Sequence, residues 1–115
     1  MTKHVLILKE PWASLVVSGE KTLEIRTMKT KKVGKEIYIA KAGTKTLIGK
    51  VTIDKCILLS SNECDALTYK HRAAKYIKHI KNKKIYGWFL KNAVAFDKAI
   101  PYRHPRGAQS WVVLS

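Results

Sequence analysis

Acidic residues are scarce in this chain. Asp and Glu total 8 against 23 Lys and Arg, which leaves a formal net charge of +15 over 115 residues. From Ala66 to Phe96 there is no acidic residue at all. A balance this basic, with a pI near 10.0, favours an anionic partner: nucleic acid, an anionic membrane or an acidic protein. Cysteine is equally sparse. Cys56 and Cys64 match neither a CxxC pair nor a zinc ribbon, and each reads as a small buried or half-buried residue. Without a disulfide framework or a signal peptide, the expected setting is intracellular and reducing, cytoplasmic or nuclear. His4, His71, His79 and His104 show no ligand spacing, so no metal is expected. No Walker loop, GxGxxG or GxSxG occurs, so no cofactor is expected either. The apolar runs are too short to span a bilayer, and no membrane insertion is expected.

What remains is a chain of globular composition, 46% hydrophobic and 27% charged, whose length predicts one domain over residues 1–115. The apolar run His4–Leu8 reads as a buried strand. Pro11 then opens a short helix, with Trp12, Leu15 and Val16 at helical spacing and Gly19 as its stop. A strand is predicted over Thr22–Arg26. A basic loop turns at Gly34, a strand follows from Glu36, and a longer β-rich run from Thr46 carries a bulge at Gly49. Ser60 or Ser61 caps a long helix running from Asn62 to Ile80, with Leu67, Ala74 and Ile77 on its apolar face. One or two strands follow from Ile85, then a loop, then a closing strand at Trp111–Leu114. The fold class is therefore mainly β with flanking helices, a compact barrel or curled sheet with one short N-terminal and one longer middle helix.

Three groups of residues carry chemistry. In GEKTLEIR, Leu23 and Ile25 share the core face of the strand, while Glu24 and Arg26 share the other. Glu24 and Arg26 stand about 6.5–7 Å apart along the strand, close enough to pair or share a ligand. Lys21 enters at the turn and leans over the same face. On an open surface this pattern would be an ion pair worth under about 1 kcal/mol. The second group is the acid-free run. It places His71, Lys75 and Lys78 on a helical stripe near Arg72, and Lys81, Lys83 and Lys84 extend it. Such a stripe supplies sequence-independent affinity for a phosphate backbone, or is a solvated face. The third group is RHPRGAQSW. Arg103 and Arg106 bracket a loop, and Gln109 and Ser110 are placed to read a base edge or position a water. Trp12, Trp88 and Trp111 are either core residues or stacking platforms for bases; Trp12, at a helix start, falls nearest a cleft.

The stretches PWASLVVSGEKTLEIR, GKEIYIAKAG and PYRHPRGAQSWVVL resemble the ASCH domain family, a branch of the PUA-like superfamily. The family hallmark GxKxxExR falls on Gly19, Lys21, Glu24 and Arg26. The resemblance implies a PUA-like β-barrel with a cleft above it where Lys21, Glu24 and Arg26 converge. It implies RNA or a nucleotide as partner; the expected contacts are Lys21, Glu24 and Arg26 from the hallmark, together with Trp12, Arg72, Lys75, Lys78, Arg103, Arg106, Gln109 and Ser110 from the groups above. The alternative is a small RNA-processing enzyme with Lys21 and Glu24 catalytic, either a ribonuclease or an amidohydrolase acting on acetylated cytidine. In that amidohydrolase subgroup a catalytic Thr occupies the position of Glu24. Glu24 cannot directly replace a hydroxyl nucleophile, and Glu63 is the nearest match for the subgroup's catalytic Glu. A second alternative is a protein-interaction domain for an acidic partner. Oligomeric state is not specified by the sequence.

Overall fold

The computed structural model describes residues 2–80 and 83–115, so Lys81 of the basic run lies outside the described residues. The elements run β1 (Lys3–Leu8), α1 (Trp12–Ser18), β2 (Leu23–Arg26), β3 (Glu36–Lys41), β4 (Thr46–Leu59), α2 (Ser61–Ala66), α3 (Thr68–His71), α4 (Ala74–His79), β5 (Ile85–Pro101) and β6 (Trp111–Leu114). All strands join one sheet in the order β2-β5-β4-β3-β1-β6. β1 and β3 are parallel and every other neighbouring pair is antiparallel.

The sheet is open, which corrects the expected barrel. β2 and β6 are its two edges, each only four residues long. Closure would need these short strands to pair with matched tilt and stagger. They lie at opposite ends of the strand order and do not.

α1 begins after Pro11 and ends at Gly19, whose φ of 85° permits the left-handed turn that returns its N–H to Val16 O. Ala13, Val16 and Val17 face the sheet and pack with Leu6, Ile37, Val51 and Trp88 in the main core. Gly49 is what lets α1 lie so close: a Cβ there would stand 2.6 Å from Val17 Cγ1 and 2.4 Å from Val94 O. The bulge expected at Gly49 falls beside it, since both ladders of β4 skip Ile48 between Leu47 and Gly49. β5 is one long strand rather than two. It absorbs its irregularity at Asn92, which has a φ of 55° where the register to β4 shifts.

The long middle helix expected from Asn62 to Ile80 is broken into three short ones, the second correction. Cys64, Leu67 and His71 repeat at helical spacing, and so do Ala73, Ile77 and Ile80. The step of two from His71 to Ala73 puts the series out of phase. Arg72, with φ 54°, takes up the turn between them, and both series then reach the second core with Leu23, Ile25 and Leu59. α2 starts on a capping box in which Ser60 accepts from Glu63 N–H and the Glu63 carboxylate accepts from Ser60 N–H.

Candidate functional site

β2 is an edge strand, yet most of its side chains are buried. Leu23 and Ile25 enter the core beneath the middle helices, as expected. Glu24 on the opposite face is also buried, at 7% exposure. It faces Trp88 across the ladder, and Arg26 faces Tyr86. The Arg26 guanidinium lies 5.5 Å from the centre of the Trp88 ring.

The three hallmark charges converge. Arg26 Nε and Nη2 each lie 2.9 Å from Glu24 Oε2. Lys21 Nζ lies 3.4 Å from Glu24 Oε1. Lys21 is 1% exposed. Its ammonium donates to Leu23 O at 2.8 Å and to the carbonyl of His71. Burial lowers the Lys21 pKa, with the Glu24 charge opposing that shift and Arg26 adding to it. Lys21 thus ties β2 to α3 from behind and holds one side of Glu24. It does not line the hollow described next.

His71, expected on an exposed basic stripe, is fully buried and belongs to this support, a third correction. Its Nδ1 accepts from Ala73 N–H at 2.9 Å, and its Nε2 pairs with Cys64 O at 2.8 Å. That network assigns the neutral Nε2–H tautomer. Burial lowers its pKa accordingly, and the nearby Lys21 charge acts the same way.

A hollow of about 440 Å³ opens over the front of Glu24. Glu24 and Arg26 form its ionic side. Trp12, Ile25, Ala73 and Tyr76 form its apolar side, and Lys9, Gln109 and Ser110 contribute at the ends of β1 and β6. Trp12 meets Tyr76 edge-on, with centroids 6.4 Å apart. Trp12 Nε1 donates to Arg72 O at 3.1 Å, which fixes the indole against the α3–α4 joint.

Five of the residues singled out in the sequence therefore line one hollow: Trp12, Glu24, Arg26, Gln109 and Ser110. Arg72, Lys75 and Lys78 lie outside its lining and are exposed. α4 turns Tyr76 toward the hollow while Lys75 and Lys78 face out. Arg72 lies 3.9 Å from Glu20. Arg103 and Arg106 are exposed and away from the hollow, on a loop latched by Tyr102 to His104 and by His104 to Ala108 O. Glu63 serves as a helix cap on α2 and does not line the hollow. Trp88 and Trp111 stack on each other at 6.0 Å, leaving Trp12 as the indole that meets the hollow. Sequence reading missed Lys9 and Tyr76. Tyr76 had one usable signal, an aromatic four residues before Ile80 in a phase that the broken helix restores.

The structure is thus a small β-rich domain, an open mixed sheet with short helices packed on it and a hollow whose ionic side is Glu24 and Arg26. The ASCH domain family profile matches residues 6–99, and the chain belongs to that family. No curated protein matches the chain. Among solved structures, the ASCH protein of Zymomonas mobilis is similar with a TM-score of 0.78 and 19% identity, over 98% of this chain and 87% of that one. A serine-to-alanine mutant of the Zymomonas protein gives a TM-score of 0.79 at 17% identity, over 98% and 88%. A tyrosine-to-phenylalanine mutant gives 0.77 at 19%, over 98% and 90%. At such identities the likeness is one of fold.

Proposed function

We propose that this protein binds RNA or a nucleotide, with one base in the hollow over β2 and the backbone on the basic surface of the α3–α4 segment. The observation that carries this reading is the Glu24 carboxylate, buried beside an aromatic wall and held between Lys21 and Arg26. The two cations leave a carboxylate acceptor facing the hollow, suited to a base amine or ring N–H. Oε2 takes both Arg26 contacts, whereas Oε1 has the single, longer one to Lys21 at 3.4 Å and keeps capacity for one more donor. Trp12 and Tyr76 offer ring surface, and stacking on such a wall is worth about 1–3 kcal/mol per base. Lys75, Lys78 and Arg72 add the salt-dependent phosphate term.

Calorimetric titration with single-stranded RNA tetranucleotides tests the reading. The wild type binds, affinity falls steeply with salt, and Glu24→Gln and Tyr76→Ala each weaken binding at least tenfold. Binding unaffected by both variants, or capture of acidic proteins with no RNA retained after nuclease treatment, contradicts it.

A reaction in the same hollow is the second reading, with Glu24 at the hollow and Lys21, whose pKa burial lowers, behind it. Lys21 Nζ is however spent on two carbonyls and Glu24. Incubation of wild type and Lys21→Ala with RNA and with acetylated cytidine distinguishes catalysis from binding. Product from the wild type alone supports the enzyme.

A further inference from the structure

A second hollow, of about 460 Å³, lies beyond Arg26 on the face of the sheet that carries the ionic side of the first. The register establishes the shared face. Arg26 of β2 opposes Tyr86 of β5, and Tyr86 opposes Leu58 of β4. Residues directly opposite on neighbouring strands project to one side. Arg26 lines the first hollow, and Tyr86 and Leu58 line the second. Two strand spacings, about 10 Å, separate Arg26 from Leu58.

The lining of this second hollow is chemically coherent. Lys29 from the β2–β3 loop and Lys84 from the entry to β5 supply two ammonium groups. No carboxylate lines it, and among the described residues neither lysine is in an ion pair. By contrast Lys41, Lys50 and Lys91 are each within 4 Å of an acid. Tyr86 brings an aromatic ring. Val33 and Leu58, 45% and 52% exposed, bring exposed apolar surface. Paired cations beside an aromatic and exposed aliphatic side chains make a platform for a phosphate and its attached base.

We propose that this hollow is a second nucleotide subsite, so that the protein holds at least two successive nucleotides of a single strand. Lys29 and Lys84 take the phosphate, and Tyr86 with Leu58 takes the neighbouring base. The first nucleotide sits over Glu24, and Arg26 stands at the crossing between the two positions. The inference rests on the proposed nucleotide-binding reading of the first hollow.

The test compares a nucleoside monophosphate, a nucleoside triphosphate and an RNA tetranucleotide on wild type, Lys29→Gln/Lys84→Gln, and a charge-matched control, Lys3→Gln/Lys98→Gln. The wild type binds the tetranucleotide at least tenfold more tightly than the monophosphate. The Lys29/Lys84 variant loses most of that gain and keeps monophosphate affinity within about twofold, while the control keeps both. Cys56 lines the second hollow and Cys64 is fully buried, so alkylation of Cys56 gives an independent readout. The tetranucleotide slows it and the monophosphate does not. Equal affinity for both lengths, equal loss in the control, a triphosphate that reproduces the whole gain, or an unprotected Cys56 in the bound complex overturns the second subsite. If the monophosphate binds and length adds nothing, only this inference fails. If no nucleotide or RNA binds at all, the reading of the first hollow fails with it.

Discussion

Lys21 Nζ lies 3.4 Å from Glu24 Oε1 in a place where the lysine has almost no contact with solvent. Arg26 holds the other oxygen of the same carboxylate. The three charges therefore do not act alike. Lys21 is a strut, Glu24 is the floor, and Arg26 is the one that reaches the hollow's edge.

Removing the floor leaves the strut charged and unpaired. Breaking a buried ion pair costs about 3–5 kcal/mol when the remaining charge has no other compensation. The two carbonyls bonded to Lys21 offset part of this, so Glu24→Gln is expected to cost about 2–3 kcal/mol. Lys21→Met removes the buried charge itself and is expected to cost less than Glu24→Gln. Urea unfolding of the two variants checks the order.

Acid should loosen the middle helices. The pKa of His71 is lowered from its ordinary 6.5, chiefly by burial, so the unfolded chain takes up that proton first. The stability it contributes is complete above 6.5 and is lost as pH falls from there through the folded value. The wild-type urea midpoint is expected to drop between pH 7.5 and pH 5. His71→Gln, which does not titrate, is expected to show a flatter profile over that window.

Gly49→Ala tests the seat of α1. The added Cβ meets Val94 O at 2.4 Å and Val17 Cγ1 at 2.6 Å. Overpacking of this kind costs about 1–3 kcal/mol. Adding Val17→Ala is expected to recover only part of the loss, because the carbonyl of Val94 cannot be trimmed. Thermal unfolding of the single and double variants measures both effects.

Salt dependence separates backbone contacts from the base site. Each lysine that releases a counterion on binding a single strand adds about 0.7 to the slope of log K against log salt. Lys75→Ala and Lys78→Ala are each expected to flatten the slope by about that amount. Tyr76→Ala is expected to lower affinity at every salt concentration with the slope unchanged.

Much of the sheet was legible because residues two apart along a strand enter one core, as Leu6 with Leu8, Leu23 with Ile25 and Ile37 with Ile39 do. α1 was legible because Pro11 and Gly19 mark both its ends. The middle segment was harder to read. Cys64, Leu67 and His71 obey one helical phase and Ala73, Ile77 and Ile80 another, and a continuous helix satisfies only one of them. The break puts a histidine into the core instead of among the lysines. The pairing of Glu24 with Arg26 was readable from their spacing along β2, whereas the convergence with Lys21 came from the family resemblance. The unequal burial that makes Lys21 a strut was not readable, because it depends on the His71 carbonyl, fifty positions away. Barrel closure was not readable either, since strand order is a property of the whole sheet.

The most direct test of the account is backbone amide NMR during titration with a single-stranded RNA tetranucleotide. The account predicts that the largest shift changes fall on Ile25, Arg26, Tyr76 and Ser110 around the first hollow and are lost in Glu24→Gln. Shift changes confined to surfaces away from β2, with these four amides unmoved at saturation, would contradict it.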